Sequence, residues 1–439
     1  MNKAHTLTQG RIFRFWAPLA AVWLILAAEQ PSAAAVIARL PDATTHLAAF
    51  GLSFSLVLIV ESPVTMLLTA TTALATHQQA YRRLLLFAHI LVLVTTVAHL
   101  LLGLTPAYPF VLRRWIGVPE NVIGPAQTVF LLMLPWTAMV AYRRFYEGIL
   151  IHYGHPKRVS AAQLVRLVTA LFVLVSGLGL ARWSGAAVAA VAASAAATAA
   201  AIAAWFLSRR TIRDEMPPLH ASSVRLEWPR LVTFYVPLAL STLIMMLAQP
   251  ILAFGLSRAA QPLASLAVWP VLMAVVLVGR STGIVYQEVA VALLGSEHAY
   301  RQLRRFAWTL AAGSTLLFAL FALTPAAALW YRHVAGLEPA LVHLARVPTV
   351  IVALIPGLNV LNVWQRALLV HREKTAGITG ALALNLVTLV ALTTITVPAT
   401  SVPGAILVAS VLTIALAVEF LFLSWQTHPG RRYPWRERR

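Results

Sequence analysis

The chain contains no cysteine, and aspartate occurs only at Asp42 and Asp214. Without cysteine it cannot form disulfides, use a thiolate nucleophile or bind a metal through sulfur. Both aspartates lie in predicted loops, which excludes an intramembrane aspartyl enzyme. Glycine-rich phosphate loops, HExxH and GxSxG are also missing, so the sequence has no motif for ATP hydrolysis or acyl transfer. We therefore expect no enzymatic activity, no catalytic residues, no cofactor and no metal site.

Charged residues are scarce as well, at 11% of the chain, whereas hydrophobic residues make up 60%. A mean hydropathy of +0.79 means more apolar surface than one soluble core can bury. The formal net charge of +20 would suggest nucleic acid as a partner for a soluble domain. Here the basic residues gather in short loops between apolar segments. We therefore expect contact with membrane lipids and no nucleic-acid partner.

Several apolar segments are long enough, at about 20 residues, to cross a bilayer. Twelve are predicted, at 13–37, 47–74, 84–105, 122–146, 162–182, 185–207, 230–256, 265–294, 306–330, 341–369, 376–397 and 403–425. An even number puts both termini on one side, which the basic loops identify as the cytoplasm. Few lysines and alanine runs at 187–204 indicate a bacterial source. We predict an all-α multi-pass protein of the bacterial inner membrane, with both termini cytoplasmic.

The sequence repeats itself at a fixed offset. FWAPLA at 15–20 matches FYVPLA at 234–239, and the same offset pairs Gln30-Pro31 with Gln249-Pro250. Two homologous halves follow, and because each has an even number of spans, they are parallel repeats with the substrate path expected between them. The predicted parts are an N-terminal six-helix bundle at 1–207, a cytoplasmic linker at 208–229, a C-terminal six-helix bundle at 230–427 and a basic cytoplasmic tail at 428–439.

Two opposite charges occupy equivalent positions inside predicted spans. LIVESPV at 58–64 aligns with LVGRSTG at 277–283, which puts Glu61 opposite Arg280 in the repeat. A lone carboxylate in hydrocarbon costs a few kcal/mol or more, so Glu61 must face water, a partner or a proton. Two interpretations stay open. The pair either contacts the substrate from one central cavity or forms a structural or gating ion pair.

Glu147 and Arg366 form a second charge-inverted pair at the same offset. Together with Arg143 and Arg144 they lie near predicted cytoplasmic helix ends, where snorkelling to the headgroups is the alternative to a site role. Prolines after two Gln residues predict a break in the first helix of each half. The predicted substrate-binding or gating residues are Glu29, Gln30, Glu61, Gln249, Arg280, Gln287, Glu288, Asn359 and Asn362, with Arg143, Arg144, Glu147 and Arg366 as further candidates.

The opening LTQGRIFRFWAPLAAVWLILAAEQPSAAAVIARL, with LAAFGLSFSL at 47–56, resembles the start of the progressive ankylosis protein family. FYVPLAL and the LSR at 256–258 open the second half in a similar way. This family resembles a branch of the multidrug/oligosaccharidyl-lipid/polysaccharide flippase superfamily, which implies the fold of multidrug and toxin extrusion proteins. Its animal members are associated with cellular export of pyrophosphate, ATP and citrate. The resemblance therefore implies an exporter of small anions. The chain departs from the extrusion proteins in that it lacks their first-helix aspartate, which serves cation coupling, and Glu29 is the only acidic substitute there.

Three functions remain open from the sequence. The first is a monomeric secondary transporter that exports small organic or phosphate-containing anions, because an arginine fork holds phosphate or carboxylate well. The second is a multidrug or lipid-linked glycan exporter, which the acidic residues Glu29 and Glu61 favour. The third is a membrane scaffold without transport activity, against which the polar helix faces argue.

Overall fold

The computed structural model describes residues 7–180, 183–218, 225–372 and 376–428, and nearly all of them are helical. Across this described part, a single bridge between Ala260 and Pro403 is the only strand-like pairing. Eleven of its helices, some of them broken, are long and apolar enough to cross a membrane. The chain is thus an all-α multi-pass membrane protein. The predicted tail at 428–439 lies, apart from His428, outside the described residues.

The helices follow one another with short connections. The first half contains α1 (Gln9–Ala27), α2 (Glu29–Ile37), α3 (Ala43–Thr65), α4 (Leu67–Leu74), α5 (Gln78–Leu104), α6 (Ala107–Phe110), α7 (Glu120–Leu132), α8 (Leu134–His152), α9 (Pro156–Leu180) and α10 (Gly185–Asp214). The second half contains α11 (Trp228–Met246), α12 (Ala248–Arg258), α13 (Pro262–Leu293), α14 (Glu297–Leu323), α15 (Pro325–Leu329), α16 (Pro339–Ile351), α17 (Ile355–His371), α18 (Ala376–Ala399) and α19 (Gly404–Gln426). The predicted segment at 13–37 corresponds to α1 and α2 and is not among the eleven spans found in the described residues.

The predicted breaks in the first helix of each half are present. Proline lacks an N–H and its ring clashes with the carbonyl four residues earlier, so a helix tends to end there. α1 ends at Ala27, four residues before Pro31, and α11 ends at Met246, four residues before Pro250. In both halves a second helix begins two residues later. One local rule therefore explains both breaks.

Unusual backbone conformations recur at the same offset. Asp42 and Gln261 both have a φ of 53°, in the left-handed region that residues other than glycine seldom adopt. Gly117 and Gly336, which follow two π-helical turns, have φ angles of 83° and 76°. The members of each pair occupy equivalent positions in the two halves of the sequence. The repeat seen in the sequence is therefore also a repeat of backbone geometry.

The second long helix is interrupted in the first half and continuous in the second. Pro63 has no N–H for the carbonyl of Ile59. The hydroxyl of Ser62 donates to that carbonyl at 2.7 Å, as the equivalent Ser281 does to the carbonyl of Val278. α3 then ends at Thr65 and α4 begins at Leu67. The second half has Thr282 in place of this proline, and α13 continues unbroken.

The described helices group into two compact units. Unit I comprises Ser32–Arg258, and unit II comprises the residues up to Pro31 together with those from Ala259 onward. These units differ from the bundles predicted at 1–207 and 230–427. α1 groups with the second half of the sequence, whereas α11 and α12 group with the first half. The first helix of each half is thus exchanged.

A pair of equivalent hydrogen bonds accompanies this exchange. In unit II, Nε1 of Trp16 on α1 donates to the carbonyl oxygen of Thr282 on α13 at 3.0 Å. In unit I, the hydroxyl of Tyr235 on α11 donates to the carbonyl oxygen of Pro63 on α3. Trp16 and Tyr235 are equivalent positions of the sequence repeat, as are Pro63 and Thr282. The same aromatic side-chain to carbonyl bond is therefore built twice.

Gly148 allows α8 to approach α4 closely. A Cβ added at this glycine would lie 2.7 Å from Cβ of Thr71 and 2.8 Å from the carbonyl oxygen of Leu68. We expect Gly148→Ala to destabilise the fold by about 1–3 kcal/mol, because the backbone oxygen cannot move aside freely. Gly124→Ala in α7 is the matched control, since nothing lies within 4 Å of its added Cβ. Melting temperatures in detergent test this, and a Gly148→Ala protein as stable as the wild type would contradict it.

Candidate functional site

Glu61 lies inside unit I, with 7% of its surface exposed. Nε1 of Trp136 on α8 donates to its Oε2 at 2.5 Å. No Lys, Arg or His nitrogen of the described chain lies within the 4.0 Å that defines a salt bridge to this carboxylate. Arg144, Arg143 and Arg166 attract it electrostatically from greater distance. Glu61 is thus held by a neutral donor and faces a basic environment.

Trp136 is held in position from two directions. Its ring packs edge-on against Phe54, with centroids 5.9 Å apart. The guanidinium of Arg166 on α9 lies 5.8 Å from the centre of its ring, within range of a cation–π contact. Pro135 follows the helix break at Met133 and starts α8 just before this residue. These contacts direct the indole N–H toward Glu61.

Glu147 and its donors form a buried ion-pair network on α8 and α9. Nη1 of Arg143 donates to both carboxylate oxygens at 3.3 Å, and Nε2 of Gln163 donates to Oε1 at 2.6 Å. Nη1 of Arg144 lies 3.9 Å from Oε2. Glu147 is 1% exposed and Arg143 4% exposed. Snorkelling to the headgroups, predicted as an alternative for Glu147 and Arg143, is therefore wrong for both residues.

In unit II, Arg280 on α13 pairs with Asn359 on α17. Nε and Nη2 of the arginine each donate to Oδ1 of Asn359 at 3.4 Å, and Nδ2 of Asn359 donates back to the Arg280 carbonyl at 3.2 Å. A Cβ at Gly283 would lie 2.5 Å from Nδ2 of Asn359, so the glycine leaves room for this amide. Two of the predicted site residues are thus in contact.

Arg366 pairs with a residue that the sequence reasoning did not select. Its Nη2 donates to Oε1 of Glu419 on α19, and Nδ2 of Asn385 on α18 donates to Oε2 at 3.1 Å. Glu419 is 1% exposed. Both Arg366 and Glu419 act electrostatically on Arg280. Unit II therefore has a charge cluster of its own, built from α13, α17, α18 and α19.

Glu29, Gln30 and Gln249 lie at the helix breaks. Glu29 and Gln30 begin α2, and Glu29 is buried, whereas Gln30 is half-buried. Gln249, also half-buried, lies in the first turn of α12. All three are positioned where the chain departs from a continuous helix.

The remaining predicted residues lie on α13 and α17. Nδ2 of Asn362 donates to the Leu416 carbonyl at 3.2 Å, and its buried Oδ1 has no hydrogen-bond partner in the described chain. Gln287 is half-buried. The side chain of Glu288 falls outside the described residues. Asn362 thus ties α17 to α19 through its amide nitrogen and keeps one buried acceptor.

Five members of the two clusters are not among the residues predicted from the sequence. One signal was available, because Arg166 and Asn385 are polar residues inside spans at equivalent positions of the repeat, like the selected pairs. The others gave no such signal, since their partners in the repeat are apolar. The missed residues are Trp136, Gln163, Arg166, Asn385 and Glu419.

The ion pairs described outside the two clusters are exposed or half-buried. Nε of Arg113 donates to Oε2 of Glu120 at 3.1 Å, and both side chains are more than half exposed. Nε2 of His155 lies 2.7 Å from Oε2 of Glu215. This hydrogen bond holds the pKa of the Glu215 carboxyl below its ordinary value. Within the described part of the chain, no three His, Cys, Asp or Glu residues are grouped as metal ligands. The buried clusters remain the candidate site.

No protein-family model matches the chain, and no curated protein matches it. Solved structures do match. An inward-facing multidrug resistance MATE family transporter of the MOP superfamily superimposes with a TM-score of 0.71 at 17% identity, over 93% of this chain and 98% of that chain. A MOP superfamily transporter from Pyrococcus furiosus, described by a reverse polarity of its binding pocket that suggests a different function, gives 0.63 at 16% identity, over 98% of both chains.

The lipid II flippase MurJ, in an inward closed conformation, is similar as well. It gives a TM-score of 0.65 at 10% identity, over 93% of this chain and 87% of that chain. These neighbours are described as transporters and flippases, and none of the three is described as an enzyme. Identities this low concern the fold. The chain has the helical fold of the MATE and MOP superfamily transporters and of this flippase.

Proposed function

We propose that the chain is a secondary transporter that exports small organic or phosphate-containing anions by alternating access between two bundles. Pyrophosphate, citrate and nucleotides are the substrate class, and the bacterial inner membrane with cytoplasmic termini is the setting. One observation carries the proposal, namely that guanidinium groups outnumber carboxylates in both clusters. Unit I combines Arg143, Arg144 and Arg166 with two carboxylates, and unit II combines Arg280 and Arg366 with one described carboxylate.

A surplus of positive charge in the two clusters favours an anionic substrate. An uncompensated charge inside a membrane protein is expensive, and a counter-ion that enters with the substrate removes that penalty. Guanidinium groups suit the task because their planar fork holds carboxylate or phosphate oxygens through two parallel hydrogen bonds. The polarity of the clusters therefore supports anions over cations.

The fold supports transport in general. Its neighbours are described as transporters, and one of them has a binding pocket of reverse polarity within the same superfamily. The resemblance of residues 7–40 and 47–56 to the progressive ankylosis family adds the substrate class. Buried charge clusters of this kind also argue against a scaffold without transport activity, because such a protein has no need of them.

Export of cationic drugs or lipid-linked glycans is the second candidate. The neighbours described as a multidrug transporter and as a lipid II flippase favour it, as do the buried carboxyl groups of Glu29 and Glu61. A lipid-linked phosphate would meet the same guanidinium groups as a free anion. For anionic cargo, the two candidates therefore differ in whether the transported anion carries a lipid.

Transport by the purified full chain in proteoliposomes tests the proposal. We expect movement of labelled pyrophosphate, citrate or nucleotide, and no movement of a cationic dye. Glu120→Gln should leave the rates unchanged, since its ion pair is exposed. Movement of the dye or of a lipid-linked phosphate, without any movement of the free anions, would contradict the anion proposal.

Arg280 provides a prediction about the sign of the substrate. Removal of its charge in Arg280→Gln should reduce anion transport by about 10- to 100-fold, because a hydrogen bond to a charged group contributes roughly 1.5–3 kcal/mol. Arg280→Lys should restore only part of the rate, since an ammonium group cannot reproduce the planar fork. Initial rates in proteoliposomes measure the effect, with melting temperature as the control for folding. Equal transport rates for wild type and Arg280→Gln would show that Arg280 does not bind the substrate.

Glu61 and Arg280 provide a test between substrate binding and a structural pair. If Arg280 binds the substrate, adding Glu61→Gln to Arg280→Gln should not restore transport. If Arg280 only neutralises Glu61, the double variant should recover much of the activity that either single change removes. A double-mutant cycle of transport rates separates the two. We expect no recovery, and recovery to near the wild-type rate would reject the binding role.

A further inference from the structure

The two buried carboxylates Glu147 and Glu419 share one type of surroundings. Each receives hydrogen bonds from an arginine and from a side-chain amide. In unit I the donors to Glu147 are Arg143 and Gln163, and the amide bond measures 2.6 Å. In unit II the donors to Glu419 are Arg366 and an Asn385 amide at 3.1 Å. A guanidinium together with a carboxamide is a donor set that fits any carboxylate or phosphate group.

The arginines keep donors that these carboxylates do not use. Nε of Arg143, of Arg144 and of Arg366 is buried and has no hydrogen-bond partner in the described chain. Buried donors are normally satisfied, so an ion pair that served only stability would be expected to use them. Only 4% of the surface of Arg143 is exposed. The unused Nε of Arg143, at this depth, indicates a second acceptor that the chain itself does not supply.

The two arrangements arose at different places in the repeat. Glu147 is equivalent to Arg366, whereas Glu419 is equivalent to Ala200. The carboxylate therefore comes from α8 in one unit and from α19 in the other. In both units an arginine and an amide surround a carboxylate, although these residues occupy non-equivalent positions of the repeat. This arrangement is therefore not inherited from the duplication alone. The combination of groups is what the two units have in common.

We propose that Glu147 and Glu419 are built-in competitors of the substrate. Each occupies its arginine while the transporter is empty, and a carboxylate or phosphate group of the substrate takes over that arginine when it binds. The inference rests on the proposed function, because it requires an anionic substrate. Arg144, 3.9 Å from Glu147, remains as counter-ion for the displaced carboxylate. Each carboxylate thereby weakens binding of the substrate and speeds its release.

The neutral variant Glu147→Gln separates this role from a structural ion pair. In this variant Arg143 has no carboxylate partner at position 147. We therefore expect pyrophosphate or citrate to bind about 10-fold more tightly, the factor that 1.4 kcal/mol produces. Transport should show a lower KM together with a lower maximal rate, since release becomes slow. Glu419→Gln should behave in the same way. Glu120→Gln, the same change in an exposed ion pair, should alter neither quantity.

We would measure equilibrium binding of pyrophosphate and citrate to the full chain in phosphatidylcholine nanodiscs. KM and the maximal transport rate would be measured in proteoliposomes. If Glu147→Gln folds poorly, Glu147→Asp retains the charge on a shorter side chain and should tighten binding partially. If the wild type binds the anions and neither variant binds them more tightly, only the competitor role is overturned. Absence of binding in all proteins overturns the proposed function as well.

Discussion

A charge inside the membrane must be paired or hydrogen-bonded, and this constraint organises both units. Glu61 is held by Trp136, Glu147 by Arg143 and Gln163, and Glu419 by Arg366 with an amide. Each set of bonds joins at least two helices. α3, α8 and α9 are connected in unit I, and α17, α18 and α19 in unit II. The polar residues thus fix which helices are neighbours, while the apolar surfaces fill the space between them.

The exchange of α1 and α11 has consequences for assembly. α1 is synthesised first, yet its partner α13 lies in the second half, so Trp16 cannot reach Thr282 until that half has been made. Unit I likewise requires α11 for the bond between Tyr235 and Pro63. Neither unit can be completed by its own half of the sequence. The two halves must therefore fold in a coupled manner, with contacts of large sequence separation formed late.

Backbone features of this fold follow from the sequence more readily than its charge pairs do. Proline chemistry predicts the breaks before Pro31 and Pro250, because a missing N–H acts locally. Hydropathy likewise predicts the spans, which need no knowledge of neighbours. Partner choice is different, since Glu419 gave no signal that it would meet Arg366 on another helix. Trp136 was missed for the same reason, as an indole in an apolar span is ordinarily a packing residue.

The two clusters place their ion pairs differently with respect to the helices. Arg143 and Glu147 lie one turn apart on α8, so their ion pair persists wherever that helix moves. At the position equivalent to Glu147 the second half has Arg366, which has no acid one turn away and takes its counter-ion from α19. A shift of α17 against α19 therefore separates this ion pair, whereas a shift of α8 leaves the pair of Arg143 and Glu147 intact. Inverted charges at equivalent positions thus give one unit an ion pair within a helix and the other an ion pair between helices.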